Sequence, residues 1–170
     1  MQISGIFLLI SLITCVIDAE ASAGTTFNFQ DTTIITSGKN EKLEWLTLAE
    51  AETKMASQKK DILIDLYTDW CGWCKVMDKN TYTNPAVVQY IHDKFYPVKL
   101  NAETKEILTW RGKQFKYNDQ YRIHDYAVLL TGGQLSYPST VILPADGSAP
   151  QVIPGYLKPP DMELILKYFG

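Results

Sequence analysis

Asp61-Ile62-Leu63-Ile64-Asp65-Leu66-Tyr67 is a short apolar run rich in β-forming residues, and just beyond it stands Cys71-Gly72-Trp73-Cys74. The run reads as a buried central strand that carries one acid, Asp65. The tight segment Thr68-Asp69-Trp70 brings the first cysteine to the start of a helix that continues through Lys75 to Lys79. This strand, turn, cysteine pair and helix start fix both a local geometry and a chemistry. A helix N-terminus carries unpaired N–H groups and a partial positive charge. Both favour a thiolate on Cys71, read as the exposed member of the pair, and the thiolate is the nucleophile of disulfide exchange. Cys74, one turn further in, can attack a mixed disulfide at Cys71 and release the product.

Two other uses of the pair are weaker on spacing and context. Half of a zinc site would need two more ligands, and only His92 and His124 could join, far apart in the chain and unlike finger spacing. An inert structural disulfide is the other use, and the strand-loop-helix context argues against it. No metal and no cofactor beyond the cysteine pair is expected. Asp65, a carboxylate inside an apolar strand, is expected to titrate high and to take a proton from Cys74 near neutral pH. A partly exposed strand acid is the plainer alternative for it.

Elsewhere the pattern alternates helices and strands. Thr47 and Glu50 form a Thr-x-x-Glu capping box, so a helix is predicted from Leu48 to about Lys59. Asn84-Pro85 opens another, with Val87, Val88, Ile91 and Phe95 as its apolar face. Tyr96–Leu100 reads as the next strand. Helices are predicted at Glu103–Trp110 and Asp119–Leu130, with a polar loop between them through about Asn118, and Gly132-Gly133 ends the second. Thr140–Leu143 and Val152-Ile153 read as paired strands around an Asp146-Gly147 turn. Pro159-Pro160-Asp161 opens a terminal helix with Met162, Ile165, Leu166 and Phe169 on one side. This order suits an α/β sandwich with a central mixed sheet.

The N-terminal part reads as residues 1–23 signal peptide, 24–41 flexible leader and 42–170 folded domain. Ile6 to Ile17 is apolar save for Ser11 and Thr14, and Ala21-Ser22-Ala23 or Ala19-Glu20-Ala21 offers a cleavage pattern, although no Lys or Arg precedes the run. A buried N-terminal helix and an uncut anchor remain open. Cys15 could carry a lipid, but Thr14 before it and Val16-Ile17 after it suit that poorly, so it is expected to leave with the signal. The formal charge of −3 and the absence of a basic run offer no sign of nucleic-acid binding.

The segment Ile62–Lys75, with Asp-Leu-Tyr-Thr-Asp-Trp-Cys-Gly-Trp-Cys-Lys at its centre, resembles thioredoxins. It is most similar to the periplasmic C-terminal domain of bacterial membrane thiol:disulfide interchange proteins. Thr81-Tyr82-Thr83-Asn84-Pro85, Tyr137-Pro138-Ser139-Thr140 and Gly155 extend the likeness over most of residues 45–170. It implies a thioredoxin fold with an insertion before the cis-proline loop. It also implies that Cys71 attacks, Cys74 resolves, Asp65 is the buried acid and Pro138 is the cis-proline. Tyr137 would shape the peptide groove beside it. Trp70 and Trp73 would cover the disulfide and contact substrate, unless Trp70 only packs in the core. Lys75 and Asp78 are candidate modulators, Asp78 standing where the interchange domains also carry an acid.

The sequence departs from these relatives in two places. The dipeptide between the cysteines is Gly-Trp, and without a His there one source of thiolate stabilisation is missing, which leans the pair towards reduction. The chain between Leu100 and Pro138 is also long. The extra material, around Arg111 to Leu135, holds Tyr117, Tyr121, His124, Tyr126 and Leu129, which could cover the groove, form a partner surface or extend the core. The expected function is thiol:disulfide exchange on cysteine pairs of exported proteins, in the reducing or isomerising direction. The expected setting is extracytoplasmic, in a bacterial periplasm, with a membrane reductant conductor as electron source. The competing reading is a peptide-binding module whose disulfide is structural or regulatory.

Overall fold

The computed structural model describes residues 42–170; the expected signal peptide, the leader and Cys15 lie outside the described residues. The chain runs α1 (Leu48–Ser57), β1 (Asp61–Tyr67), α2 (Gly72–Asn80), α3 (Pro85–Lys94) and β2 (Phe95–Asn101). The short strands β3 (Leu108–Trp110), β4 (Lys113–Phe115), β5 (Tyr117–Asn118) and β6 (Ile123–His124) follow. α4 (Asp125–Thr131), β7 (Ser139–Leu143), β8 (Gln151–Pro154) and α5 (Pro159–Phe169) complete it.

Four strands form a mixed sheet in the order β2-β1-β7-β8. β1 pairs parallel with β2 and antiparallel with β7, and β8 pairs antiparallel with β7. β1 is buried from Ile62 to Leu66 because both faces of the sheet are covered. Ile62, Ile64 and Leu66 point to one face, against Leu48 and Ala51 of α1 and Tyr126 and Leu130 of α4. Leu63 points to the other, against Met77 of α2, Val87 and Ile91 of α3, and Met162 and Leu166 of α5. The side-chain period of a strand thus places Asp65 on the face that α2 covers.

Local chemistry sets the element ends. Thr47 and Glu50 close the capping box from both sides, with Thr47 N–H donating to Glu50 Oε2 at 2.8 Å and Glu50 N–H to Thr47 Oγ1 at 3.2 Å. Thr47→Ala is therefore expected to lower stability by about 1 kcal/mol, read as a shift in urea midpoint at unchanged slope. The Asn84 side chain accepts from the N–H groups of Ala86 and Val87, with Pro85 in the first turn. α3 ends at Lys94, so Phe95 begins β2 rather than extending the helix face, and α1 ends at Ser57, short of Lys59.

The stretch from 103 to 130 differs most from expectation. Glu103–Trp110 is not a helix: Leu108–Trp110 pairs with Lys113–Phe115 in a hairpin. Its two-residue turn is Arg111-Gly112, both at positive φ (48° and 74°), the backbone that a tight hairpin needs. The expected polar loop contains β4 and β5. The second helix starts at Asp125 rather than Asp119, because Arg122 at φ 53° breaks the helical path and Ile123-His124 pairs with Tyr117-Asn118. His124, not an acid, caps α4, its Nδ1 accepting from Tyr126 N–H at 3.1 Å. The insertion mainly extends the core: Phe115, Ile123, Tyr126 and Leu130 join the cluster over Ile64. Tyr121 and Leu129 stay exposed.

Candidate active site

Cys71 is the N-cap of α2, and its Sγ accepts the Cys74 N–H at 3.1 Å. The two cysteines are joined by a disulfide, with Cα atoms 5.3 Å apart. Contrary to the sequence reading, Cys71 is not the exposed partner: Cys71 is 4% and Cys74 3% exposed. Position separates them instead. The Cys71 sulfur sits where the helix donates N–H groups, whereas Cys74 lies inside the first turn.

Two tryptophans flank the buried pair in the chain. Trp70 and Trp73 are 66% and 62% exposed, so Trp70 is not a core residue. The Trp70 Nε1–H donates to Glu103 Oε1 at 3.0 Å, and its ring meets Tyr137 edge-on at 5.8 Å. The Trp73 ring stacks on Tyr156 at 5.5 Å. The Tyr137–Pro138 peptide bond is cis, and Pro138 O accepts from Gly155 N–H at 2.8 Å, tying this loop to the end of β8. Burial, with the Glu103 carboxylate nearby, pushes the Tyr137 phenol up to about 12, so it stays neutral.

Beneath α2 lies a charged line that crosses from sheet to helix. Asp65 is 1% exposed, and burial raises its carboxyl to about 6, against the opposing pull of Lys99. Lys99 stands opposite Asp65 in the β1–β2 register, its Nζ 3.2 Å from Asp65 Oδ2. The same ammonium contacts Asp78 Oδ1, one turn along α2 from Cys74. Burial disfavours the Lys99 charge, but the two carboxylates outweigh it and hold the ammonium above its ordinary pKa. On the other side Asp65 faces Thr140 of β7. Asp65 Oδ1 and the hydroxyls of Tyr82 and Thr140 are buried near one another without a hydrogen bond of good geometry. One Asp65 oxygen is thus held by Lys99 and the other is uncommitted.

The structure brings Cys71, Cys74, Trp70, Trp73, Tyr137 and Pro138 to one end of the sheet, with Asp65 and Asp78 below. Lys75 is exposed and forms no ion pair among the described residues. His124 is fully buried in the insertion, where Nδ1 caps α4 and Nε2 meets Glu106 O at 3.1 Å, so both ring nitrogens are taken. Sequence reasoning missed Lys99 and Glu103. A lysine inside the run Tyr96–Leu100 was the available signal for the first; nothing local marked the second.

A family model described as thioredoxin-like matches residues 44–145. The chain belongs to the thioredoxin-like family, and its fold is the thioredoxin fold. Among curated proteins it is similar to the thiol:disulfide interchange protein DsbD of Actinobacillus pleuropneumoniae, 50% identical over 44 residues, 25% of this chain and 8% of that protein. The DsbD of Haemophilus ducreyi is 46% identical over 46 residues, 26% of this chain and 8% of that protein. The match therefore spans less than a tenth of those relatives. Among solved structures, a thioredoxin from Thermus thermophilus aligns at TM-score 0.54 and 14% identity, over 75% of this chain and 87% of the other. The DsbD C-terminal domain of Neisseria meningitidis in its reduced form aligns at 0.50 and 20%, over 72% and 92%. At these identities the structural likeness speaks for the fold.

Proposed function

We propose that the chain is a thiol:disulfide oxidoreductase that reduces or isomerises cysteine pairs of exported proteins. The observation that carries this reading is the Cys71–Cys74 disulfide at the start of α2, flanked in the chain by the exposed Trp70 and Trp73, with the buried Asp65 on the sheet face that α2 covers. In the reduced protein, the Cys71 thiolate attacks one sulfur of a substrate disulfide. A Cys71–substrate bond forms, the substrate S–S bond breaks, and the second substrate sulfur leaves as a thiolate. Asp65 accepts the Cys74 proton, and the Cys74 sulfur attacks Cys71 Sγ. The mixed disulfide breaks, the second substrate thiol is released, and the Cys71–Cys74 bond of this structure re-forms. The substrate gains two electrons and two protons, which a reductant must return to the cysteine pair.

Supporting the reducing or isomerising direction, the Gly-Trp between the cysteines supplies no His to stabilise a thiolate. The relatives are named for thiol:disulfide interchange, which favours a disulfide as substrate; the resemblance seen in the sequence adds a protein substrate and a membrane reductant conductor as donor. The expected signal peptide favours an extracytoplasmic, periplasmic setting. Among the described residues no helix is long and apolar enough to cross a membrane.

Reduced protein, freed of its reductant, is expected to open one disulfide of a test exported protein per chain, seen as a mass shift after thiol alkylation. A test protein left fully bridged would refute the reading. Trp73→Ala is expected to raise KM for protein disulfides about tenfold while leaving reaction with dithiothreitol unchanged, because only large partners use the aromatic rim. Equal losses with both substrates would show that Trp73 acts on the cysteines themselves.

A further inference from the structure

A second concave site lies at the end of the sheet away from the disulfide, where Leu143 pairs with Ile62 at the start of β1. It is a cleft of about 190 Å³ whose apolar walls include Trp110, Leu129, Leu130 and Pro150. Three polar side chains also line it, Arg111, Tyr126 and Ser148.

Arg111 occupies the first turn position of the β3–β4 hairpin at φ 48°. Glycine, asparagine or aspartate takes this left-handed backbone at lower cost than arginine. Glu52 Oε1 accepts the Arg111 backbone N–H at 2.8 Å and pins the turn to α1. The guanidinium lies 5.4 Å from the Trp110 ring centre and against Gly147. A Cβ at Gly147 would stand 3.1 Å from Arg111 Nη1, so the glycine leaves the space that the guanidinium fills. Arg111 makes no ion pair among the described residues.

Tyr126 is fully buried, and its hydroxyl has no hydrogen-bond partner among the described residues. Native structures seldom leave a buried hydroxyl unpaired. The hydroxyl feels the charges of both Arg111 and Glu52. Two carboxylates are near, and each already accepts a backbone N–H: Glu52 from Arg111, and Asp146 from Ser148 at 2.8 Å. Both keep further acceptor sites; the Tyr126 hydroxyl is closed off from solvent, so the donor that a ligand can reach is the exposed Arg111 guanidinium.

The geometry points to a binding site for a carboxylate on a short apolar stem. The guanidinium offers the carboxylate a two-pronged hydrogen bond, and the stem packs on Trp110, Leu129 and Leu130. A volume below the roughly 300 Å³ of drug-sized sites restricts the stem to a few carbons. A free short-chain acid and the C-terminus of an apolar peptide present this same chemistry. The nearby Glu52 and Asp146 charges weaken the attraction, so a Kd on the order of a millimolar is expected.

The test is a titration of the full chain, followed through the Arg111 side-chain and Gly147 amide resonances. The probes are hexanoate and acetyl-Leu-Leu with a free C-terminus, against hexanol and the acetyl-Leu-Leu amide. Saturable shifts are expected with the acids and not with their neutral counterparts, and the tighter acid identifies the source. Arg111→Gly suits the positive φ, so the fold should persist while acid binding weakens about tenfold or more. Equal binding of the neutral probes, wild-type binding by Arg111→Gly, or no saturable shift up to about 50 mM would each overturn the proposal.

Discussion

Cys71→Ser is expected to reduce disulfide exchange to the uncatalysed background while leaving the fold intact. A serine hydroxyl at the α2 N-cap can still accept the helix N–H, so the helix start survives. It cannot form a sulfur–sulfur bond, so no mixed disulfide arises. Losing the native bridge costs little, because a loop this short constrains the unfolded chain by only about 2 kcal/mol. Cys74→Ser should behave differently: Cys71 still attacks, nothing resolves the adduct, and a covalent complex with the substrate accumulates. Non-reducing electrophoresis of both variants with a disulfide-bonded substrate checks this. A covalent complex with Cys74→Ser and none with Cys71→Ser fixes the order of attack. If Cys71→Ser binds partners as well as wild type and wild type itself exchanges nothing, the chain is a binding module with a structural disulfide.

The second large effect belongs to Asp65→Asn. Burial raises the Asp65 carboxyl from an ordinary 3.8 to about 6, so the folded state holds a proton that the unfolded state has released. Stability from this group is full below about pH 4 and falls as pH rises towards 6, by about 3 kcal/mol for a shift of roughly two units. Lys99 offsets part of the cost of ionisation, and its contact with Asp78 remains when Asp65 becomes neutral. Asp65→Asn should therefore be more stable than wild type at pH 8, by about 1–3 kcal/mol, and nearly equal to it at pH 4. Urea unfolding at the two pH values measures this. The same substitution removes the proton acceptor for Cys74. Exchange should slow, and the rise in rate near pH 6 should disappear from the pH profile. Equal destabilisation at both pH values would mean that Asp65 serves only as a packing and hydrogen-bonding residue.

Much of this site is legible because its parts are local. The run Asp61–Tyr67, the tight turn and the Cys-x-x-Cys are contiguous, and the Asn84-Pro85 and Thr47–Glu50 signals act within one helical turn. What escaped depends on contacts distant in sequence or on unusual backbone. The β3–β4 hairpin is masked because its turn carries arginine where asparagine or glycine would announce it. The start of α4 is masked because a buried histidine, not an acid, forms the cap. Lys99 becomes visible as a partner of Asp65 only once β2 pairs with β1, because strands buried on both faces show no alternation that assigns a side chain to one face. The exposure of Cys71 was misjudged for a similar reason. Exposure depends on the packing around the helix start, which spacing alone does not encode.

The most direct measurement is the reduction potential of the Cys71–Cys74 pair in graded thiol buffers. A value between about −180 and −270 mV, the span from disulfide isomerases to thioredoxins, is expected for a protein that reduces or isomerises its substrates. A value near about −120 mV would reverse the direction and mark an oxidant. A pair that fails to equilibrate with the buffers would contradict redox function altogether.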